Sequence, residues 1–439
     1  MCKPLDTFSG TPAVSSSSES LGKLGLSSAS QRIAQGLALG EGGAATPQGT
    51  IATMATTDRS SVATRPARPA LPRLAVVDWL RGFAVVLMIQ THLYDAWVAP
   101  AFKGSAAYHW TRFLGGIPSR LFLFLVGVSL ALRFEAQLAQ GVKRRADFIV
   151  PAVKRGLEIV LLAYVFRLQE YVLGHLQYSW VDLPRAWEDI VKVDILNCIG
   201  LSMMVVPLLA APRAGRPPWL ALVLGVALFA GLGPVVGPHP WPWFVPRPLA
   251  SYIGGPRPMA WFPLFPWAAW PVAGVLVGHL WVRNAREPRR AAWTFVLSGL
   301  AGVALIGIVE TIRAIDPQVI RYPSELVQQM GPGSFFYRLG INLIVSALAF
   351  AAVRLVGKRF SVMQQFGRTS LLVYWVHIEL CYGLLAFKLH LYGRLTMATA
   401  TVALLVMVAL MLALSLAKTR WWEPRRRRMR AARAVPSAA

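Results

Sequence analysis

Acidic residues are scarce in this chain. Its 439 residues include 20 Asp and Glu against 45 Lys and Arg, and charged residues of both signs make up only 15%. An ordinary soluble domain carries about 25%, so a water-facing globular surface is excluded for most of the chain. Cysteine is scarcer still, with Cys2, Cys198 and Cys381 the only three. Two of them lie inside apolar runs and no Cys-x-x-Cys occurs, which excludes a disulfide framework and leaves a structural zinc site without ligands. No metal is assigned. The N-terminus also lacks the basic-then-apolar pattern of a secretory signal.

What the chain has in abundance is apolar length. Hydrophobic residues make up 55% of it, and from residue 74 onward runs of about 20 residues recur, the length needed to cross roughly 30 Å of hydrocarbon. Ten such runs are expected, at 74–97, 113–134, 153–173, 194–211, 218–236, 260–282, 291–311, 334–354, 367–387 and 395–417. The fourth and fifth are short, and the sixth holds several prolines, which membrane helices tolerate where neighbours satisfy the freed carbonyls. The fold class is therefore all-α, a polytopic integral membrane bundle of about ten transmembrane helices. Lys and Arg concentrate in alternate connections, among them "VKRRAD", "AREPRR" and "GKRF", and in the tail "KTRWWEPRRRRMRAARA". Cytoplasmic loops retain such residues, so both termini are expected in the cytoplasm.

Three regions follow. Residues 1–70, rich in Ser, Ala, Gly and Thr, bury too little to offset their ordering entropy and are expected to be a disordered extension, with Met54 as an alternative start. Residues 71–418 form the membrane domain, and 419–439 a basic tail suited to anionic lipid. The net charge of +25 invites a nucleic-acid reading, but the cations lie in short clusters between apolar runs and no nucleic-acid partner is expected. Of the outward loops, 237–261 is dense in Trp and Pro and suits the headgroup interface, where indole rings settle. Its aromatic faces also suit sugar rings. The loop at 174–193 is expected to hold a short interfacial helix.

The first helix carries ionisable groups that lipid does not solvate. In "RLAVVDWLRGFAVVLMIQTHLYDAW" (73–97), Arg81 and His92 are eleven residues apart, three turns plus roughly 20°, so both project from one face. Asp78 precedes Arg81 by one turn and Asp95 follows His92 by one turn. A centrally placed charge costs about 2.5–3.5 kcal/mol or more in a bilayer, so this stripe is expected to face the bundle interior or a wet cavity. The bland alternative for Asp78 and Arg81 is an intrahelical pair near the interface, with Arg81 snorkelling.

These residues carry a family resemblance. "RLAVVDWLRGFAVVLMIQTH" resembles the opening of the transmembrane acyltransferase superfamily, in which an Arg is followed eleven positions later by His. Its Asp-x-x-Arg-Gly start is most similar to the heparan-alpha-glucosaminide N-acetyltransferase catalytic-domain family. "SRLFLFLVGVSLAL" (119–132), "ILNCIGL" (195–201), "FPLFPWAAWPVAGVLVGHL" (262–280) and "FGRTSLLVYWVHIEL" (366–380) resemble later blocks of that family in the same order. The resemblance implies an acyl group, most simply acetyl, taken from cytoplasmic acyl-CoA as co-substrate, with no permanently bound cofactor. The acceptor it implies is a carbohydrate or glycan-like group across the membrane. In the family's founding lysosomal member the acceptor is a glucosamine amine, and the essential His lies between the first two helices, where His109 is the positional match. That member has Asn at the position of His92, whereas in related acyltransferases the His that follows Arg is the functional one. This chain has both.

A neutral imidazole at either place can deprotonate an amine or hydroxyl, or attack the thioester itself. Asp95 is placed to orient His92 as a triad carboxylate does. Arg81, with Asp78 beside it, is the candidate for CoA phosphate or the thioester oxyanion. His377, near mid-helix in "VYWVHIEL", and Asp194 with Asn197 at the start of the fourth run are candidate acceptor or supporting groups, although capping a helix is the plainer use of the last two. His279 is expected at an interface, and His175, His239 and His390 in solvent. The rival reading is a transporter or lipid-linked flippase without covalent chemistry, which also uses buried ionisable groups and broken helices. No second copy of the Asp-x-x-Arg-Gly…His stripe appears in the other half to support it. The resemblance and the Ala-, Arg- and Pro-heavy usage point to a bacterial inner membrane.

Overall fold

The computed structural model describes residues 74–175, 190–236, 244–255, 259–316, 331–357, 359–426 and 429. Residues 1–70, most of the 174–193 loop and part of 237–261 lie outside the described residues. Among the described residues regular structure is helical, with three isolated β-bridges besides.

Helix α1 (Ala75–Trp97) leads through a single 3₁₀ turn to α2 (Ala106–Gly115), whose N-cap Ser105 accepts from the Tyr108 amide. Next come α3 (Ile117–Ala139) and α4 (Arg145–His175). After them lie α5 (Ile195–Ala210), α6 (Trp219–Val236) and the short α7 (Arg247–Ile253). The sixth apolar run divides into α8 (Leu264–Trp267), which contains a cis Phe265–Pro266 bond, and α9 (Ala269–Asn284), with Ala268 between them. The chain continues through α10 (Pro288–Ile315), α11 (Pro332–Val356), α12 (Val362–Arg368), α13 (Ser370–Tyr382), α14 (Leu384–Lys388) and α15 (Met397–Ala417). The basic tail runs on helically through Arg426, by way of a π turn at Lys418–Trp422.

Among the described residues, eight stretches are long and apolar enough to cross a membrane. They are α1, α2 with α3, α6, α8 with α9, α10, α11, α13 with α14, and α15 with the start of the tail. The runs expected at 153–173 and 194–211 fall on α4 and α5. Helix α5 has only 16 residues, and α4 carries charges at both ends, from Arg145 to Glu158 and again at Arg167 and Glu170. Helix α10 exposes Leu297, Leu300, Val303 and Ile308 together, and α15 exposes Val402, Leu405, Val406 and Leu410. Water-facing patches of this kind are rare in soluble proteins; these helices face lipid, and the chain is an integral membrane protein.

Helix α1 belongs to both apolar cores. Val76, Val77, Leu80 and Ala84 pack with α3, α9 and α11, while Val85, Ile89, Leu93 and Trp97 pack with α12, α13 and α15. Without a hydrophobic drive between helices in lipid, close approach depends on small residues. A methyl on Gly82 would collide with the Met363 carbonyl of α12, and one on Gly367 with the Asp78 carbonyl of α1. The Gly of the Asp-x-x-Arg-Gly sequence is thus the point at which α12 rests on α1. Gly127 of α3 and Gly274 of α9 seat those two helices against each other in the same way.

Candidate active site at the C-terminal end of the first helix

The end of α1 is latched to its neighbours by two hydrogen bonds. The buried Trp97 indole donates to the Cys381 carbonyl of α13 at 3.0 Å, and the Tyr94 hydroxyl pairs with Thr401 Oγ1 of α15 at 2.6 Å. This fixes His92 against α13. Its ring lies 5.4 Å, centroid to centroid, from that of His377 and 5.6 Å from that of Tyr382.

Proton positions follow from the partners. The Tyr382 hydroxyl donates to Asp95 Oδ2 at 3.3 Å, so its oxygen is the acceptor for His92 Nδ1, also 3.3 Å away. That arrangement puts the proton of a neutral His92 on Nδ1 and leaves Nε2 as the lone-pair nitrogen. His377 is fully buried; its Nδ1 donates to the Val373 carbonyl at 2.7 Å, and its Nε2 has no partner among the described residues. Two imidazoles therefore lie side by side at a tilt of 46°, each with one nitrogen that carries no proton. Both 3.3 Å contacts are at the long end of the hydrogen-bond range, as is usual before a substrate tightens a site.

Asp95 is exposed and also pairs with Arg112 of α2 at 3.2 Å. The expected direct contact between Asp95 and the His92 ring is replaced by a bridge through Tyr382, because Asp95 lies one turn further out, where α2 closes over the end of α1. His109 is on the exposed face of α2, three residues before Arg112. No side-chain partner joins it to His92 among the described residues.

Arg81 and Asp78 lie at the other end of α1. Arg81 Nη1 is 3.7 Å from Asp78 Oδ1, and its Nη2 donates to Ser129 Oγ of α3 at 2.5 Å. Asp78 is buried, whereas the Arg81 side chain is about one-third exposed (32%), so a cation remains presented at that end. Near it, at the C-terminal ends of α3 and α9, His279 Nδ1 lies 2.8 Å from Glu135 Oε1 and Arg283 Nε donates to the same oxygen at 3.0 Å. His279 is completely buried within the bundle, and the Glu135 carboxylate supplies the partner that lets an imidazole sit inside. His390 is exposed as expected; His175 ends α4, and His239 lies outside the described residues.

Asp194 and Asn197 do cap α5, in a reciprocal capping box. They also join a second polar group. Arg167 of α4 reaches Asp194 Oδ2 at 3.0 Å and Glu170 at 2.6 Å, while Asn197 donates to the Tyr252 hydroxyl, which pairs with Tyr164. Gln169 links α4 to α13, donating to Glu379 and accepting from the Trp375 indole, each at 2.8 Å. The Tyr374 ring touches both Phe166 and His377, and so lies between this group and the histidine pair.

The structure thus brings together His92, His377 and, through Tyr382, Asp95. It leaves His109 on the surface and keeps Arg81 with Asp78 three turns away. Sequence reading missed Tyr382, Arg167, Glu170 and Glu379. Their signal is visible in retrospect: "RLQE" (167–170) puts three polar residues on an otherwise apolar stretch, and Glu379 and Tyr382 follow His377 within two turns.

Residues 73–308 match the family described as heparan-alpha-glucosaminide N-acetyltransferase, catalytic. A search of curated proteins returns no match.

Proposed function

The chain belongs to the heparan-alpha-glucosaminide N-acetyltransferase catalytic family, and from that premise we propose that it transfers an acetyl group from cytoplasmic acetyl-CoA to an amine or hydroxyl of a glycan-like acceptor across the cytoplasmic membrane of a bacterium. Both termini then face the cytoplasm, α4 and α5 complete ten crossings, and the His92 end of the bundle faces outward. The alternation of basic loops supports this orientation.

One observation carries the assignment: His92 Nε2 is left unprotonated by the chain from its Nδ1 through Tyr382 to Asp95. The acceptor nitrogen or oxygen attacks the thioester carbonyl carbon, and the acceptor's proton passes to His92 Nε2. The C–S bond then breaks, and the departing thiolate takes that proton to leave as CoA. Acetylated acceptor and free thiol account for every atom, and the imidazole ends neutral. Positive charge on His92 in the transition state is stabilised through Tyr382 by Asp95, as a carboxylate supports an imidazolium in a triad. The buried His377 ring packs beside that of His92 and helps to fix its orientation. Arg81, held by Asp78 and Ser129, contributes a fixed cation for the phosphates of the donor. The transporter reading requires no such proton relay.

The test is acetyl transfer by purified protein from radiolabelled acetyl-CoA to amino-sugar and glycan acceptors, with His92→Ala and His109→Ala alongside. Transfer lost in His92→Ala and kept in His109→Ala supports the assignment. Transfer lost only in His109→Ala overturns it, and no transfer or CoA binding by any form overturns acetyl transfer altogether.

A further inference from the structure

At the same end of the bundle as His92, but on the other side of α3, lies a small pocket lined by Arg120, Pro266, Trp267, Trp270, Ser334 and Phe335. Its chemistry is one-sided. Arg120 is nine-tenths buried; one of its N–H groups goes to the Gly116 carbonyl and its guanidinium lies 5.3 Å over the Trp267 ring. A second guanidinium, from Arg338 of α11, lies over the Phe113 ring at 6.0 Å. The two converge on one point: a methyl built on Gly116 would stand 2.5 Å from Arg338 Nη1 and 3.2 Å from Arg120 Nη1. Neither has a carboxylate partner among the described residues, although burying like charges together without an anion is costly.

The other groups around the pocket are donors as well. The Trp267 indole N–H is buried and has no hydrogen-bond partner among the described residues. Gly331, also in the lining, is the N-cap of the 25-residue α11, and Ser334 is in its first turn. A helix N-terminus favours negative charge through its open amides and dipole. Arg120, an orphaned indole N–H and a helix N-terminus, all in the lining, lack the same thing, and Arg338 beside Arg120 adds a second positive charge.

We propose that this pocket binds an oxyanion, a phosphate or sulfate group, between Arg120, Trp267 and the N-terminus of α11. The cavity has room for about one water-sized group and is half open, so one oxygen of the oxyanion enters it and the rest of the ligand stays at its mouth. A free anion or a phospholipid headgroup presents that same chemistry. The proposal does not depend on acetyl transfer, and its readout is binding alone.

Purified protein in neutral detergent would be titrated with inorganic phosphate and with sulfate at constant ionic strength, following thermal unfolding. In a parallel arm it would be placed in nanodiscs of phosphatidylcholine with or without phosphatidylglycerol, and retained lipid counted by native mass spectrometry. A saturable upward shift in Tm, or selective retention of phosphatidylglycerol, is expected in at least one arm; the first marks a free anion, the second a headgroup. Arg120→Gln should weaken that response about tenfold or more, the scale of one charge-assisted hydrogen bond, and Trp267→Phe should weaken it while keeping the ring. If Arg120→Gln does not fold, Trp267→Phe decides. No saturable response in either arm, or the same response in folded variants, would overturn the site.

Discussion

His92 of α1 and His377 of α13 lie 5.4 Å apart with their planes inclined by 46°, the buried His377 backing His92, whose Nε2 can accept but not donate. Such a nitrogen suits a ligand group with protons to give, as an amine or a sugar hydroxyl has. It follows that His92→Ala should lower kcat/KM for acetyl transfer by about 10²–10⁴-fold, the usual contribution of a positioned general base. His109→Ala, on the exposed face of α2, should stay within about twofold, since surface substitutions away from a site seldom matter. Initial rates with saturating acetyl-CoA would separate the two.

Tyr382 is the test of the relay. Replacing it with Phe removes only the hydroxyl between His92 and Asp95 and keeps the ring packed on His92. A drop in kcat of about tenfold is expected, from one charge-assisted hydrogen bond made in the transition state. KM for acetyl-CoA should change little. A variant with wild-type kcat would show that Asp95 does not act through Tyr382.

Arg81 is assigned to the other substrate, so its loss should divide differently. Arg81→Gln should raise KM for acetyl-CoA by about tenfold or more, from about 1.5–3 kcal/mol for a hydrogen bond to a charged group, with a smaller change in kcat. Isothermal titration with CoA alone would check the same effect without turnover. Equal CoA affinity in Arg81→Gln and wild type would remove Arg81 from the donor site.

Gly82→Ala should destabilise the bundle by about 1–3 kcal/mol, the range for overpacking a close contact, because the added methyl meets the α12 backbone at Met363 rather than a side chain that can turn away. Its Tm in detergent should fall while a neighbouring lipid-facing substitution, Leu300→Ala, leaves it nearly unchanged. An unaltered Tm in Gly82→Ala would mean that α12 is free to withdraw from α1.

Helix α1 was almost fully legible from the sequence because its signal is local: a polar stripe on one face of an apolar run needs only the helical period. The ends of α4 were not. Its first turns, Arg145 to Ala152, fall before the run expected at 153–173, and Arg167 to Glu170 lie inside that run with nothing in the sequence to name their partners. Their partners, Asp194 and Glu379, stand on α5 and α13, and pairing across that much chain is a property of the packed bundle. The same holds for Tyr382, which meets His92 only because α13 is latched to the end of α1 through Trp97 and Cys381. The partner of His279 is out of reach of the sequence for a related reason, since Glu135 belongs to a helix 144 residues earlier.

Because Arg81 and His92 share one uninterrupted helix, the distance between them is not adjustable. Eleven residues at 1.5 Å each set it at about 16 Å along the axis. A donor that touches both must be a long, narrow molecule whose anionic end and reactive end are separated by about that span. Helix α1 therefore acts as a gauge of donor length. Acetyl thioesters with a shortened arm should miss one of its two marks, whatever the chemistry of the group they carry.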